Sequence, residues 1–425
     1  MNNKKINLKT ISILFTMNTI FMAKAEVSNL NVDSCYAMAM RNYPIVKQFA
    51  LIEQSREFSI DNANKGYLPQ LGIAGQVTYQ SAVTSLPISI PNMNVPQISK
   101  DQYKLYGEVV QPLTDLFTVK DQKELVNANT KLETQKIEVE LYKLRERINQ
   151  LYFGVLLLDA QIEQIELYKK DIHAGISKAN VAVANGIALK SSIDNLNVEL
   201  LKAEQKRIEL MFNRKGFVDM LSLFIGKPLS AEIVFQTPQA VSVSETIIRP
   251  ELQFFESQKT IINVQSKLIT NKNLPRFNFF FQGGLGRPAL NMLSNDVKGY
   301  YITGLKLNWS LSGFYTFHKE RKILTLNRSL VDIQKEVFLF NTNLSLKQQN
   351  AEVVKLTELL ATDSEIIQLR EKIKNTTKNQ LDNGTATTND YLTNVNAADQ
   401  ARQTQSLHRI QLLLAQYNHQ VTTGN

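Results

Sequence analysis

The chain has little of what most compact enzymes are built from. Among 425 residues there are one cysteine, four histidines, one tryptophan, 17 glycines and 11 prolines, and aromatic residues make up 8%. Because Cys35 is the only cysteine, it cannot form an intrachain disulfide. Scarce glycine and proline leave room for uninterrupted helices, since these two residues are the main breakers of helical patterns. The composition therefore predicts long helices and excludes a disulfide-stapled domain.

Catalytic and metal-binding patterns are also missing from the sequence. It contains no HExxH motif and no second cysteine. A G-x-G-x-x-A stretch at 284–289 follows a predicted strand, but Pro288 and the polar residues beyond it predict a loop where a dinucleotide site needs a helix. We therefore expect no enzyme activity, no cofactor and no metal site. The four scattered histidines are His173, His318, His408 and His419.

The amino terminus has the organisation of a secretory signal peptide. Three lysines precede a short apolar segment at 11–22, and an A-x-A site follows at 23–25. The alternative is a membrane anchor, but this apolar segment is shorter than the roughly 20 residues that a bilayer crossing needs. We assign residues 1–25 to the signal peptide. Removal of this peptide takes four lysines and no acidic residue from a chain with a net charge of +9. The mild excess of positive charge that remains does not indicate a nucleic-acid partner.

Each half of the chain contains two stretches that alternate between apolar and polar residues, which is the period of a β-strand. In the first half they lie near 71–79 and 103–109, joined by a proline-rich loop at 82–100. In the second half they lie near 277–285 and 301–309. Each pair predicts a β-hairpin with one apolar and one polar face, and we expect both hairpins to share one sheet.

The two halves follow one plan, which predicts an internal duplication. Pro44 and Pro69 stand 25 residues apart at a helix start and a strand entry, and Pro250 and Pro275 repeat that interval. Between the halves the heptad pattern disappears. We divide the mature chain into a first repeat, a connector and a second repeat at 26–225, 226–248 and 249–425.

Long segments beyond the hairpins carry apolar residues at alternating steps of three and four, the pattern of a coiled coil. This seam runs through 144–183 with one polar interruption and resumes at 189–210. In the second half it runs through 323–344 and 407–421. If 115–184 is one continuous helix, it is about 100 Å long at ~1.5 Å per residue. No compact domain needs a helix of that length.

Both seams break at an Asn-Gly step, after which a second helical pattern begins at once. We interpret the two breaks as matching tips of two helical hairpins. The tip residues are Asn185, Gly186 and Ile187 in the first half, and Asn383, Gly384 and Thr385 in the second.

Four strands from one chain cannot close a barrel. Open sheet edges are not tolerated in lipid, because no water satisfies their backbone groups. If the strands lie in a membrane, several copies must therefore combine. Strands of about ten residues with an apolar face and many aromatic side chains fit an outer-membrane barrel with a wet interior. The alternative is a soluble β-sandwich, which needs more strands per chain.

In these features the chain resembles the TolC-like outer-membrane efflux protein family. The resemblance covers nearly the whole mature chain and rests on the signal peptide, the duplicated halves, the Asn-Gly tips and several short motifs. Each motif is weak alone, and their order and equal spacing make the combination specific. The motifs are Tyr43-Pro44, Leu68-Pro69, Gln111-Pro112-Leu113, Arg249-Pro250-Glu251-Leu252 and Leu274-Pro275.

The resemblance implies a mixed fold of α-helices and membrane β-strands. It further implies that three copies form one 12-stranded β-barrel in the outer membrane of a Gram-negative-type cell, and that long coiled-coil helices continue it into the periplasm. It implies a passive exit duct for small molecules in a tripartite efflux system, with an inner-membrane pump and a periplasmic adaptor as partners. The adaptor would meet the tips at Asn185, Gly186, Ile187, Asn383, Gly384 and Thr385.

The resemblance also implies a constriction at the periplasmic end. Asp390 matches an acidic ring position, and three copies in a trimer would attract cations. The family's second acid is Thr393 here, and the matching acid of the first tip is Ser192. Latch positions hold Leu381 and Ala386, so the gate carries over only in part. The alternative for Asp390 is capping of the next helix, because Asp is a favoured N-cap.

Two other functions fit the same pattern. One is the outer-membrane component of a protein or peptide secretion system. The other is a structural coiled-coil protein of the cell envelope without a channel, which would neither fractionate with membranes nor conduct ions. Ion conductance therefore separates the duct from the structural protein.

Overall fold

The computed structural model describes residues 29–85, 98–230, 232–241 and 244–425. The predicted signal peptide at 1–25 and most of the proline-rich loop lie outside the described residues. Helices make up 71% of the described residues and accompany a small antiparallel sheet.

The first half runs from a short strand through two helices and a hairpin into three long helices. Its elements are β1 (Asn29–Leu30), α1 (Val32–Asn42), α2 (Lys47–Asn64), β2 (Gln70–Tyr79), β3 (Asp101–Pro112), α3 (Asp115–Tyr142), α4 (Leu144–Ala184) and α5 (Lys190–Ile225).

The second half begins with a short strand and then runs helix, hairpin, long helix, tip and long helix. Its elements are β4 (Val234–Phe235), α6 (Pro250–Lys272), β5 (Arg276–Arg287), β6 (Lys298–Asn308), α7 (Phe314–Asp382) and α8 (Thr388–Thr423). The same succession of a helix, a hairpin and two long helices around a tip occurs in the first half. Descent of the two halves from one duplicated unit stays a prediction.

The four predicted strands and their common sheet are confirmed. The sheet has the order β2-β3-β5-β6, and every neighbouring pair is antiparallel. One rung of the sheet pairs Leu71 with Val109, Val109 with Phe281 and Phe281 with Thr303. Because directly opposite residues point to the same face, the apolar positions of all four strands gather on one side. Within the described residues, β2 and β6 are the sheet's open edges.

The coiled-coil seam of the first half is confirmed. α4 packs against α5 and α8, and α7 packs against α8. Ile148, Val155, Ile172 and Leu196 on the predicted seam are fully buried. None of the helices in the described part of the chain has an apolar stretch of the length that a bilayer crossing requires.

The seam predicted at 323–344 has no partner within the described residues of the chain. Its seven apolar residues are between 53% and 68% exposed. α7 instead packs against α6 through another face, on which Val331 and Thr342 are buried. The exposed residues, here called the α7 stripe, are Ile323, Leu326, Leu330, Ile333, Val337, Phe340 and Leu344.

The segment 115–184 is not one continuous helix, because it is interrupted at a single position. Lys143 is a turn residue between α3 and α4, although its backbone stays near helical values at φ −60° and ψ −20°. α7 in the second half is continuous over 69 residues. At ~1.5 Å per residue it reaches about 100 Å, so the expected length is found in that helix.

The predicted connector contributes to the main core. Its strand β4 pairs in parallel with β1 at the start of the described chain. The fully buried Tyr152 of α4 lies beneath this pair, and its hydroxyl lies 2.8 Å from the carbonyl oxygen of Leu30 and 2.6 Å from that of Gln236. These hydrogen bonds hold the connector against α4. The tips lie far from this contact, at the carboxyl ends of α4 and α7.

Candidate docking tips and constriction

The two tips have the same backbone geometry. Gly186 and Gly384 both have φ +71°, in the left-handed region that glycine adopts without steric cost. Asn185 and Asn383 precede them with φ −87° and −92°. The Asn-Gly step therefore ends both helices in one way, as the matching tips in the sequence predict.

The same hydrogen bonds close each tip. The N–H of Ile187 donates to the carbonyl of Ala182 over 2.8 Å, and the N–H of Thr385 donates to that of Gln380 over 2.9 Å. In both tips the glycine N–H donates to the carbonyl three residues earlier, at 3.0 Å and 3.1 Å. These hydrogen bonds satisfy carbonyl groups in the last turn of each helix and hold the backbone of each tip in one conformation.

The side chains of the two tips differ in polarity. Val181, Ile187 and Leu189 of the first tip are 62%, 71% and 75% exposed. Three apolar side chains gathered at an exposed turn are typical of a binding surface. Comparing the two tips position by position in the sequence would have revealed this asymmetry. The matching positions of the second tip are all polar, namely Asn379, Thr385 and Thr387.

Asp390 takes part in a capping box at the start of α8. The N–H of Asp390 donates to the Thr387 hydroxyl over 3.1 Å, and the N–H of Thr387 donates to the Asp390 carboxylate over 2.9 Å. The Thr387 hydroxyl also donates to this carboxylate over 2.6 Å. The N-cap is thus Thr387, with Asp390 three residues on, and the T-x-x-D spacing is the sequence signal for this motif.

The carboxylate of Asp390 stays exposed while it caps the helix. Hydrogen bonds from the side chain and the backbone of Thr387 lower the pKa of Asp390 below its ordinary value of 3.8, because they stabilise the charged form. Capping and a charged ring are therefore compatible roles for this residue.

The remaining positions of the implied gate hold no ionic latch. Leu381 and Ala386 are half-buried beside the second tip, and the hydroxyl of Thr393 donates to the carbonyl of Asn389 in its own helix. These side chains carry no charge, as their sequence shows.

A cluster of charged residues that the sequence did not reveal joins three helices above the tips. Lys374 of α7 lies 2.9 Å from the carboxylate of Asp171 in α4 and 3.1 Å from that of Glu371. Arg402 of α8 pairs with Glu371 and lies 3.8 Å from Asp171. The side chain of Lys374 is only 7% exposed. Asp171, Arg402 and the Glu371–Lys374 pair come from three distant segments of the chain, so no local pattern could have predicted the whole cluster.

Apolar packing below the cluster also holds the two hairpins together. The ring of Tyr391 in α8 is buried against Gly175 of α4, where an added Cβ would lie 2.9 Å from the ring. Its hydroxyl donates to the carbonyl of Asp171 over 3.2 Å, and burial raises its pKa to about 12. Closer to the tips, Lys178 of α4 pairs with Asp382 of α7. The two tips therefore lie side by side.

In the part of the chain that the structure describes, no three His, Cys, Asp or Glu side chains form a group that could hold a metal ion. The G-x-G-x-x-A stretch is the end of β5 and the loop that follows it, as predicted.

The chain is similar in structure to solved outer-membrane channels. The match to CusC, a protein studied for transmembrane channel formation, has TM-score 0.69 and 12% identity and covers 94% of this chain and 92% of that chain. The outer membrane protein VceC of Vibrio cholerae matches with TM-score 0.65 and 11% identity, over 93% and 96%. The MtrE outer membrane channel of Neisseria gonorrhoeae, solved in its open state, matches with TM-score 0.64 and 12% identity, over 93% and 89%.

No protein-family model matches the chain, and no curated protein matches it in sequence. At these identities, the structural matches establish the fold. They extend over nearly the full length of both chains, so the predicted resemblance to TolC-like channels is confirmed at the level of fold. The soluble sandwich is excluded, because the described residues form one four-stranded sheet beside a two-stranded pair.

Proposed function

We propose that this chain is the protomer of a trimeric outer-membrane channel. The channel acts as the passive exit duct of a tripartite efflux system. It receives small molecules from an inner-membrane pump through a periplasmic adaptor, and its helices extend into the periplasm.

The observation that carries this proposal is the sheet. Leu71, Ile73 and Val77 on its apolar face are 77%, 87% and 75% exposed, and the opposite face is mainly polar. Such a face is unfavourable in water and favourable in lipid. The open edges at β2 and β6 need partners there, and β2 of each copy can pair with β6 of the next. Three copies then supply twelve strands with a wet interior.

The α7 stripe supports the same assembly. Seven apolar residues at coiled-coil spacing are more than half exposed along α7 in a single chain. A contiguous apolar surface of this kind is typical of an interface. In the proposed trimer the stripe packs against a neighbouring copy and closes the helical part of the duct.

The tips are the proposed docking sites for the adaptor. The first tip offers an apolar surface around Ile187, and the second offers polar groups around Thr385, with both backbones held by the same hydrogen bonds. Three copies of Asp390 beside the second tip form the proposed constriction and attract cations there.

Recording the conductance of the purified full chain in a planar bilayer tests this function. We expect a detergent-extracted trimer that fractionates with the outer membrane and forms ion-conducting channels. A structural coiled-coil protein of the envelope would give neither membrane fractionation nor conductance. A trimer that never conducts would therefore exclude the duct.

A further inference from the structure

The polar face of the sheet carries a rung with two lysines. The register pairs Gln76 with Lys104, Lys104 with Gly286 and Gly286 with Lys298. Directly opposite residues share a face, so the two lysines point to the same side with a glycine between them. The strands join the helices at their other ends, which places this rung near the end of the sheet that is remote from the helices.

Positive charge exceeds negative charge on this face. On the four described strands, the acidic residue of this face is Glu108, which accepts a hydrogen bond from Gln282 over 2.8 Å. It lies four residues along β3 from Lys104, about 13 Å at ~3.3 Å per residue. That separation exceeds the Debye length of about 8 Å at physiological salt, so Glu108 does little to neutralise the lysine rung. The cations at alternate positions of the same face are Lys104, Lys298, Lys306 and Arg276.

Nearby acidic side chains neutralise little of the positive charge of Lys104 and Lys298. Within the described ranges, the structure shows no ion pair at Lys104. Lys298 lies 3.4 Å from Asp296, but the two side chains are 54% and 74% exposed, and exposed pairs of this kind are weak. Asp101 faces the apolar side, where it lies 3.6 Å from Arg287.

The loop after β5 folds over the same rung. A Cβ added to Gly286 would lie 3.1 Å from the carbonyl oxygen of Pro288 and 3.3 Å from the ring of Tyr300. Asn295 of this loop accepts a hydrogen bond from the N–H of Ser99 over 3.0 Å, which joins the two outer loops. The lysines therefore lie beside the outer loops of the sheet.

We propose that these lysines form an anion-binding ring at the outer mouth of the channel. The inference rests on the proposed function, since three copies in a closed barrel place six ammonium groups around one lumen. Clustered cations with low-dielectric walls concentrate anions, and a ring of them sets the selectivity of a pore. The ligand class is small multivalent anions with clustered oxygens, such as polyphosphates and polycarboxylates.

Reversal potentials of the full-chain trimer under a KCl gradient test the ring. In the double variant Lys104→Gln and Lys298→Gln, we expect the anion-to-cation permeability ratio to fall about tenfold, the order expected when six charges roughly 10 Å away attract an anion and repel a cation in screened water. Inorganic triphosphate added on the outer side should reduce the conductance of the unmodified channel and have a weaker effect on the variant.

Arg287→Gln is the matched control, because Arg287 lies at the same end of the sheet on the apolar face. We expect it to leave the permeability ratio unchanged. Equal shifts in the control and the double variant would overturn the ring, as would conducting channels whose ratio and triphosphate response ignore both lysines. In either case the conductance itself would still support the duct, whereas a trimer without conductance would remove both proposals. Retention of the trimer in detergent shows that each variant folds.

Discussion

At the scale of single residues, Gly384 sets the path of the chain at the second tip. Its φ is +71°, and its N–H donates to the carbonyl of Leu381 over 3.1 Å. Proline fixes φ near −65° and has no N–H, so it can satisfy neither requirement. We expect Gly384→Pro to abolish export while the trimer still assembles, measured by efflux of a reporter compound and by size in detergent.

Gly384→Asn is the matched control for this change. Asparagine keeps the N–H and tolerates the left-handed region better than most residues. Export should therefore persist in this variant. Normal export by the proline variant would remove the docking assignment of the second tip.

Charge and capping at Asp390 can be separated by two neighbouring substitutions. Asp390→Asn removes the charge and keeps an oxygen that can accept the N–H of Thr387. Thr387→Ala removes the N-cap hydroxyl and keeps the charge, at a cost of about 1 kcal/mol of stability. We expect the first to reduce cation preference in conductance records and the second to leave it unchanged. If neither alters selectivity, Asp390 acts as a cap alone.

The pH dependence of this selectivity follows from the lowered pKa of Asp390. Because the folded pKa lies below the ordinary 3.8, the charge and the cap it supports are complete above that value. They are lost as the pH falls through the folded pKa. We expect the contribution of Asp390 to cation preference to persist to a lower pH than that of an ordinary aspartate and to decline as the pH falls through the lowered pKa. Reversal potentials of the unmodified channel and Asp390→Asn across this range measure the difference.

At the scale of helices, the buried cation of the charged cluster holds α4, α7 and α8 together. Removing Lys374 leaves Asp171 and Glu371 close to each other with Arg402 as their remaining cation. Loss of one partner from a buried ionic group destabilises strongly, and we expect Lys374→Ala to cost about 2 kcal/mol, measured by the urea midpoint in detergent.

Lys355→Ala in the same helix is the comparison variant. Lys355 pairs with Glu352 over 2.6 Å, but their side chains are 55% and 44% exposed. Its loss should cost less than about 1 kcal/mol. Equal losses in the two variants would show that the cluster contributes no more than a surface pair.

Elements with a local period could be predicted from the sequence, and features made by distant residues could not. The alternation of apolar and polar residues predicted β2, β3, β5 and β6, and the Asn-Gly steps predicted the two tips. Each of these patterns lies within one segment of the sequence. The turn at Lys143 has no glycine or proline to mark it. The β1–β4 pair spans two residues in each strand, too few for a period. The T-x-x-D spacing could have predicted the Thr387 cap from the sequence, whereas the Lys374 cluster depends on tertiary packing.

At the scale of the whole molecule, the α7 stripe tests the trimer. Leu330 is 56% exposed in the single chain and lies near the middle of the stripe. A carboxylate there would be buried without a partner in the proposed interface, which is costly. We expect Leu330→Asp to convert the trimer into monomers in detergent, measured by light scattering.

Thr325→Asp introduces the same charge on an exposed face of α7 away from the stripe. This control should remain trimeric, since about five residues of helix turn its side chain well away from Leu330. Trimers of normal stability in Leu330→Asp would place the interface elsewhere.

The two open edges of the sheet have a consequence for gene dosage. In the proposed trimer each copy would offer β2 to one neighbour and β6 to the other, so the barrel would have no position at which a defective copy is harmless. If half of the chains in a cell carried a defective edge and mixed freely, only about one trimer in eight would contain three intact copies. Such a variant would be dominant over the normal gene, although it removes a function and adds none.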